Sequence, residues 1–374
     1  MAAPAAAQSV QFNAVAQSEI GYGTNPFLAP GLTEGSIFSS LSIAPNLIYQ
    51  TARSTTTLQG KYSRDSYLHD FGHSDSGNVG LVRADQLTQF LSQTLTANFE
   101  TTNRNTITDP TVAITDPLDV GRRTKTLSGA YQLQWQATAR DQLSYGTQVT
   151  HQSYGASKDP ALGSVLSSFT QYGVNGGYTH VLDARTSIGA QVSVSSVRSK
   201  IYPDSRSIQP SLTAKRQLTA AWEVDGHVGV VFSHIDGPFA KSSTSLGLGL
   251  NLCGAYPRTH LCLKVSRDTA PSGFGPLRTT TSAAVNLAED LSEHSHLILN
   301  AQYLKDSSGS FSRTGVPALR NTDAVVGTAT YDRDLTQRIS AGFGGKYQSR
   351  TLTGFSDAHS YEATVHVKAK LGRM

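Results

Sequence analysis

Asp225 and His227 stand two apart, and Ser233 follows six residues later. A carboxylate, an imidazole and a hydroxyl are the parts of a hydrolytic triad: the acid orients the base, and the base activates the nucleophile. The rest of such a site is not legible. Gly-x-Ser-x-Gly, His-Glu-x-x-His, a phosphate-binding P-loop and Cys-x-x-Cys do not occur. Gly21-Tyr22-Gly23 and Gly247-Leu248-Gly249 lie within alternating stretches with no helix after them, so they are not phosphate loops. A hydrolase is therefore the minor alternative, and no catalytic residue is assigned. The two cysteines, Cys253 and Cys262, lack a further Cys or His pair at ligand spacing, so neither a metal nor a cofactor is expected.

What the cysteines can do depends on the element that carries them. Leu246, Leu248, Leu250 and Leu252 fall on every second residue, with small or polar residues between. After Gly-Ala-Tyr-Pro-Arg, Leu261, Leu263 and Val265 alternate with His260, Cys262 and Lys264. A period of two is a strand period, and the break is a tight turn. Folded about Pro257–Arg258, the hairpin sets Cys253 opposite Cys262, Leu252 opposite Leu263 and Leu250 opposite Val265. That register predicts a Cys253–Cys262 disulfide on the polar face, formed in an oxidising compartment.

The remaining sequence reads as variations on this hairpin. Only 16% of the 374 residues are charged and 38% hydrophobic, with 33 glycines and 15 tyrosines. Soluble domains carry about 25% charged and 45–50% apolar residues. No run approaches the ~20 apolar residues of a spanning helix. A chain whose apolar residues occupy alternate positions instead suits a transmembrane β-barrel. The net charge of +4 is interspersed, without the basic patch or aromatic platform of a nucleic-acid binder, so no nucleic-acid partner is expected.

A spelling of charged residues followed by a β-forming pair recurs at short turns. It appears at Ala84-Asp85-Gln86-Leu87-Thr88, Arg140-Asp141-Gln142-Leu143-Ser144, Leu182-Asp183-Ala184-Arg185-Thr186 and Lys215-Arg216-Gln217-Leu218-Thr219. It returns at Glu289-Asp290-Leu291-Ser292 and Asp332-Arg333-Asp334-Leu335-Thr336, with weaker versions at Ala52-Arg53-Ser54-Thr55 and Pro257-Arg258-Thr259-His260. Between these turns lie stretches rich in Ser, Gly, Asp and Pro: 68–77, Thr101–Arg122, 155–166, 236–241, 268–276, 306–317 and 349–356. Short turns on one side and long loops on the other are the asymmetry of an outer-membrane barrel. The turn count predicts an all-β, antiparallel up-and-down barrel of about 18 strands, or 16 if a weak hairpin is lost, with short periplasmic turns and long extracellular loops. The weakest candidates are 205–214, with Pro210, and 277–287. Pro45 predicts a bulge or a poorly paired position in the second strand. Residues 1–9 read as the remnant after signal-peptide cleavage, and 10–374 as one barrel.

Alternation also assigns the faces. Leu95, Ala97 and Phe99, or Trp222, Val224, Val228, Val230 and Phe232, belong toward lipid. Tyr49, Trp135, Tyr178, Trp222, Tyr256 and Tyr331 sit near the short turns, where an aromatic girdle belongs. The other face supplies the lumen candidates: Lys61, Glu100, Gln132, Gln134, Gln148, Glu223, Asp225, His227, Asn251, Lys264, Lys346, Glu362, His366 and Lys368. Both charge signs occur, and a wide barrel can keep them hydrated. The expected partners are outer-membrane lipid and a solute in the lumen.

The opening Ser18-Glu19-Ile20-Gly21-Tyr22-Gly23-Thr24-Asn25-Pro26-Phe27-Leu28 resembles that of proteobacterial outer-membrane β-barrel porins associated with capsular or exopolysaccharide export. Tyr22, Asn25 and Phe27 match the pattern that ends their first strand, with spacing altered by Pro26, and the Arg-x-Leu-Thr/Ser turns are similar as well. The final Leu371-Gly372-Arg373-Met374 departs from the aromatic ending common in barrels. The resemblance implies a conduit for a polysaccharide across the outer membrane, working with a periplasmic export complex. A diffusion porin for small hydrophilic solutes is the rival reading. Porins narrow the lumen with an inward loop, and Thr101–Arg122 is the loop long enough to do so.

Overall fold

Alternation of period two leaves each strand with one apolar and one polar face, and strands of that kind must pair edge to edge until no edge is left. The computed structural model describes residues 8–25, 28, 33–68, 72–102, 123–155, 168–200, 203–237, 240–272, 275–308, 321–352 and 357–372. These form eighteen strands: β1 (Ser9–Thr24), β2 (Gly35–Gln50), β3 (Ser54–Tyr67), β4 (His73–Thr88), β5 (Leu91–Thr102), β6 (Thr124–Gln136), β7 (Asp141–Tyr154), β8 (Phe169–Asp183), β9 (Thr186–Ser199), β10 (Ser205–Gln217), β11 (Trp222–Ile235), β12 (Lys241–Ala255), β13 (Thr259–Ser272), β14 (Gly275–Ser292), β15 (Ser295–Ser308), β16 (Asn321–Asp334), β17 (Ile339–Leu352) and β18 (Ala358–Gly372). Each pairs antiparallel with its sequence neighbours, and β1 closes the ring on β18 from Asn13↔Gly372 to Gly23↔Glu362. The eighteen-strand count stands over the sixteen-strand alternative: the two weakest hairpin pieces are strands β10 and β14.

Both prolines sit inside strands without shifting the register. Pro45 is paired with Ala14 of β1, while the β2–β3 ladder runs from Ile43↔Tyr62 to Asn46↔Gln59 across a two-residue gap. Pro210 pairs with Val192 of β9, and the β10–β11 ladder is interrupted between Ile208↔Phe232 and Ser211↔Gly229. Each proline turns its missing N–H toward one neighbour only, so the expected bulge is instead a local loss of hydrogen bonding.

Several expected boundaries move. The charged residues of the turn spelling are mostly strand ends. Ala84–Thr88 belongs to β4 and its turn is at 89–90; Asp332–Asp334 belongs to β16 and its turn is at 335–338; Glu289–Ser292 belongs to β14 and its turn is at 293–294. On the loop side the strands run further than expected. β4 begins at His73, within the expected 68–77 loop, and β13, β15 and β17 continue to Ser272, Ser308 and Leu352. Beyond the bilayer an outward face need not be apolar, so Ser-, Thr- and Asp-rich strand reads as loop. Of Thr101–Arg122, only Thr101 and Thr102 lie within the described residues, as the end of β5.

The outward face is the apolar one. Ile188, Val192 and Val194 of β9, Leu212 of β10, Val228 and Phe232 of β11 and Leu250 of β12 are exposed, and the cross-strand pairing puts them on one surface. Trp222 and Phe232 are ten residues apart on β11. At ~3.3 Å per residue and a tilt near 40° this spans about 25 Å, the height of the lipid-facing band of outer-membrane barrels. At the turn side Trp222 donates its indole N–H to the Tyr256 hydroxyl at 2.9 Å. A second aromatic set lies toward the loops: Tyr62, Tyr303 and Tyr347 direct their hydroxyls to Asp75 (2.9 Å), Asp323 (3.3 Å) and His359 (3.4 Å). A closed, even-stranded barrel with an apolar outer band between two aromatic girdles has the architecture of an outer-membrane protein.

Candidate functional site: the barrel lumen

The pairing places the sixteen singled-out side chains on the inner face. Asn251↔Lys264 and Cys253↔Cys262 lie on the β12–β13 pair, with Leu252↔Leu263 and Leu250↔Val265 on the opposite face. Cys253 and Cys262 form the disulfide. Glu223, Asp225 and His227 face Cys253, Asn251 and Gly249 across β11–β12. Gln132 and Gln134 of β6 share rows with Thr94 and Ser92 of β5, and Gln148 of β7 shares one with Ala130 of β6. Lys61 is opposite Asn78, which is opposite Glu100. Lys346 is opposite Glu362, and His366 and Lys368 follow Glu362 along β18.

Within the ring lies a cavity of about 1080 Å³. It gathers Glu100 and Gln148 from β5 and β7, Asp225 and His227 from β11, Asn251 from β12, Lys264 from β13 and Lys346 from β17. Lys61, Gln132, Gln134, Glu223, Glu362, His366 and Lys368 do not line it. Sequence reading missed Asp268, Thr280, Asn286 and Asp306, which also line it. Asp268 and Asp306 fall in stretches read as loop, so their inward parity was not counted.

The charges on this wall are mostly satisfied by neighbours. Asn251 donates to Asp225 Oδ1 at 3.1 Å. His227 Nε2 lies 3.7 Å from Asp268 Oδ1, two strands away. That reach needs Gly249, the partner of His227 on β12, because a Cβ there would run into the His227 ring. Asp332 holds His366 Nε2 at 2.7 Å and accepts from Lys368 Nζ at 2.7 Å. Ser233 does not join Asp225 and His227. It lies six residues along β11 from His227, about 20 Å at ~3.3 Å per residue, opposite Ser207 and Ser243. The hydrolytic set is not assembled. Among the described residues no group of three or more His, Cys, Asp or Glu could hold a metal ion.

The inner face changes character along the barrel. Toward the turns, Gln132, Gln134 and Lys264 are exposed to the lumen. Toward the loops, inward side chains are buried around the ring: Phe38, Tyr67, Phe169, Val197, Val231 and Arg278 are each less than 9% exposed. The wall also folds inward, since β9 and β14, five strands apart, approach within 8 Å between Cα atoms. Serines on the inner face of β9 and β10 permit close packing in this region, with Ser195 Oγ and Ser207 Oγ 2.8 Å apart. The cavity reaches into this loop-side half, where Phe169, Leu304, Asp306 and Val326 line it.

No protein-family model matches the chain, and no curated protein matches it by sequence. Its fold is similar to those of solved bacterial proteins. The FrpB iron transporter of Neisseria meningitidis matches at 9% identity and a TM-score of 0.49 over 93% of this chain, which spans 63% of that transporter's length. The outer-membrane protein OpdK of Pseudomonas aeruginosa matches at 11% identity and a TM-score of 0.47, covering 98% of this chain and 99% of its own. OccAB4 of Acinetobacter baumannii matches at 8% identity and a TM-score of 0.45, covering 96% and 98%.

Proposed function

We propose that this chain is an outer-membrane channel for small hydrophilic solutes. The observation that carries this reading is the lumen itself: a cavity of about 1080 Å³ inside the ring whose lining is rich in carboxamides and hydroxyls. At ~30 Å³ per water, that volume holds on the order of 35 waters, enough for a hydrated sugar or amino acid. Carboxamides such as Gln148, Asn251 and Asn300 exchange hydrogen bonds with solute hydroxyls and amides, and the mixed charges exclude neither sign outright. Bulky inward side chains toward the loops, such as Phe38, Tyr67 and Val231, leave less room for a polymer than for a small solute, which favours the small-solute reading over polymer export. A periplasmic export complex has no role in it.

Liposome swelling tests this reading. Proteoliposomes in isotonic monosaccharide should swell quickly, those in a disaccharide more slowly, and those in dextran not at all. Rapid swelling in dextran would return the chain to the polymer-conduit reading. Absence of swelling in every solute, with correctly folded protein, would end the channel reading.

A further inference from the structure

An arginine on the outer face of a membrane barrel is costly at mid-bilayer and favourable among anionic headgroups. Arg198 of β9 shares the parity of the exposed Val192 and Val194, and Arg206 of β10 that of the exposed Ile208 and Leu212. Both arginines are exposed and take the outer face. The cross-strand rows set them close together. Arg206 is opposite Ser196 of β9 and His234 of β11, and Arg198, two residues beyond Ser196, is opposite Thr170 of β8. The result is a basic, hydroxyl-bearing patch across β8–β11.

The patch lies at headgroup depth. Ile208 and Phe232 are row partners at the loop-side edge of the apolar band. Arg206 and His234 come two residues later toward the loops, about 5 Å along the barrel axis at ~3.3 Å per residue and a tilt near 40°. Arg198 comes four residues beyond Val194, about 10 Å by the same measure. Headgroups occupy about 5–7 Å on each side of the hydrocarbon, and an arginine side chain spans the remainder. These arginines also differ from other outward cations near the loops in what faces them. Arg64 lies 4.0 Å from Asp75, and Lys305 is opposite Asp323. Arg206 makes no ion pair among the described residues: Asp204, two residues away on β10, does not reach it, and Asp236 lies 3.4 Å from His234 Nε2. Arg198 rests over the Tyr172 ring, its guanidinium carbon 5.8 Å from the centroid. That contact uses the face of the guanidinium and leaves its N–H edge for an acceptor.

We propose that Arg198 and Arg206 hold the phosphate of a lipid from the loop-side leaflet of the membrane. A guanidinium meets phosphate oxygens with two parallel N–H donors, and two such groups without a carboxylate between them match a doubly charged headgroup. Ser196, between them, adds a hydroxyl. The acyl chains of the same lipid then lie on Val194, Ile208 and Phe232 below. The site is on the outside of the barrel, so it does not depend on what the lumen conducts.

Native mass spectrometry of the full chain in an uncharged detergent tests this, with bisphosphorylated lipid A as the probe. Binding should saturate, and the double variant Arg198→Ala, Arg206→Ala should bind about tenfold more weakly or worse, as expected for two lost charge-assisted contacts. Arg64→Ala, which removes a cation already facing Asp75, should bind as wild type does. Lipid A stripped of its phosphates should not distinguish wild type from the double variant. Heat-modifiable gel migration checks folding. If the double variant does not fold, Arg206→Gln takes its place, with a loss of about threefold expected. Equal binding by wild type and folded arginine variants would overturn the site. So would an equal loss in Arg64→Ala, or inorganic phosphate binding as tightly as the lipid, which would make the patch a general anion site.

Discussion

Asp332 shows how single residues shape the inner wall. On β16–β18 the row is Asp332, Gly342, His366. The carboxylate and the imidazole meet over the glycine: a Cβ at Gly342 would stand 2.7 Å from His366 Nε2 and 3.0 Å from Asp332 Oδ1. On β11–β13 His227 likewise stands over a glycine, Gly249, but its carboxylate, Asp268, lies two residues beyond the row, which ends at Ser266. His366 is 3% exposed, so removing its partner leaves a buried polar group unsatisfied. Asp332→Ala should therefore destabilise the barrel by about 1–3 kcal/mol, and Asp332→Asn by less. The midpoint of urea unfolding, followed by heat-modifiable migration, reads this, and an unchanged midpoint for Asp332→Ala would dismiss the network as structural support. Parity in the sequence placed His366 and Lys368 inside, yet it hid their partner. Asp332 was read as part of a turn, because a charged Asp-Arg-Asp run looks the same at a strand end as in the turn that follows. Parity reports which face a side chain takes, not how deep it sits or which side chain from two strands away will reach it.

Strands and hairpins were the most legible level. The β12–β13 pair was readable to the residue: both strands alternate cleanly, the turn is short, and the two cysteines and the leucines agree on one register. The same logic sets a prediction for β11. Val228 lies midway along the strand on the outer face, and His227 beside it faces the lumen. Arginine at the middle of the lipid-facing band costs about 2–4 kcal/mol in barrels of this kind. Val228→Arg should lower stability by that amount, while His227→Arg, placed in water, should change it little. Equal effects would mean that the faces are misassigned. Where strands leave the bilayer, legibility fails for a physical reason. Polar outward residues are tolerated there, so strand extensions such as the start of β4 at His73 carry no apolar alternation to mark them.

At the scale of the whole molecule the sequence led to the closed ring but not to what packs against its inner face. Which connection turns inward leaves no trace in strand periodicity, and length pointed to Thr101–Arg122. Residues 103–122 lie outside the described residues; among the described ones, Leu28, from the connection after β1, packs against the inner face. Its signal was present in the wrong place to be noticed: Leu304, Ala324 and Val326 put apolar side chains on the polar parity of two adjacent strands. The indentation between β9 and β14 left a comparable hint in the serines of β9 and β10. Each claim about solute passage stands on one premise, that consecutive residues of a strand face lipid and water in turn. Cysteine scanning along β11 in proteoliposomes measures that premise directly, because the native cysteines are bridged and contribute no free thiol. A water-soluble maleimide should label cysteines placed at Asp225 and His227 and spare those at Val224, Val228 and Val230. Equal labelling of both sets, or labelling of the valine set alone, would contradict the barrel's orientation and with it the channel.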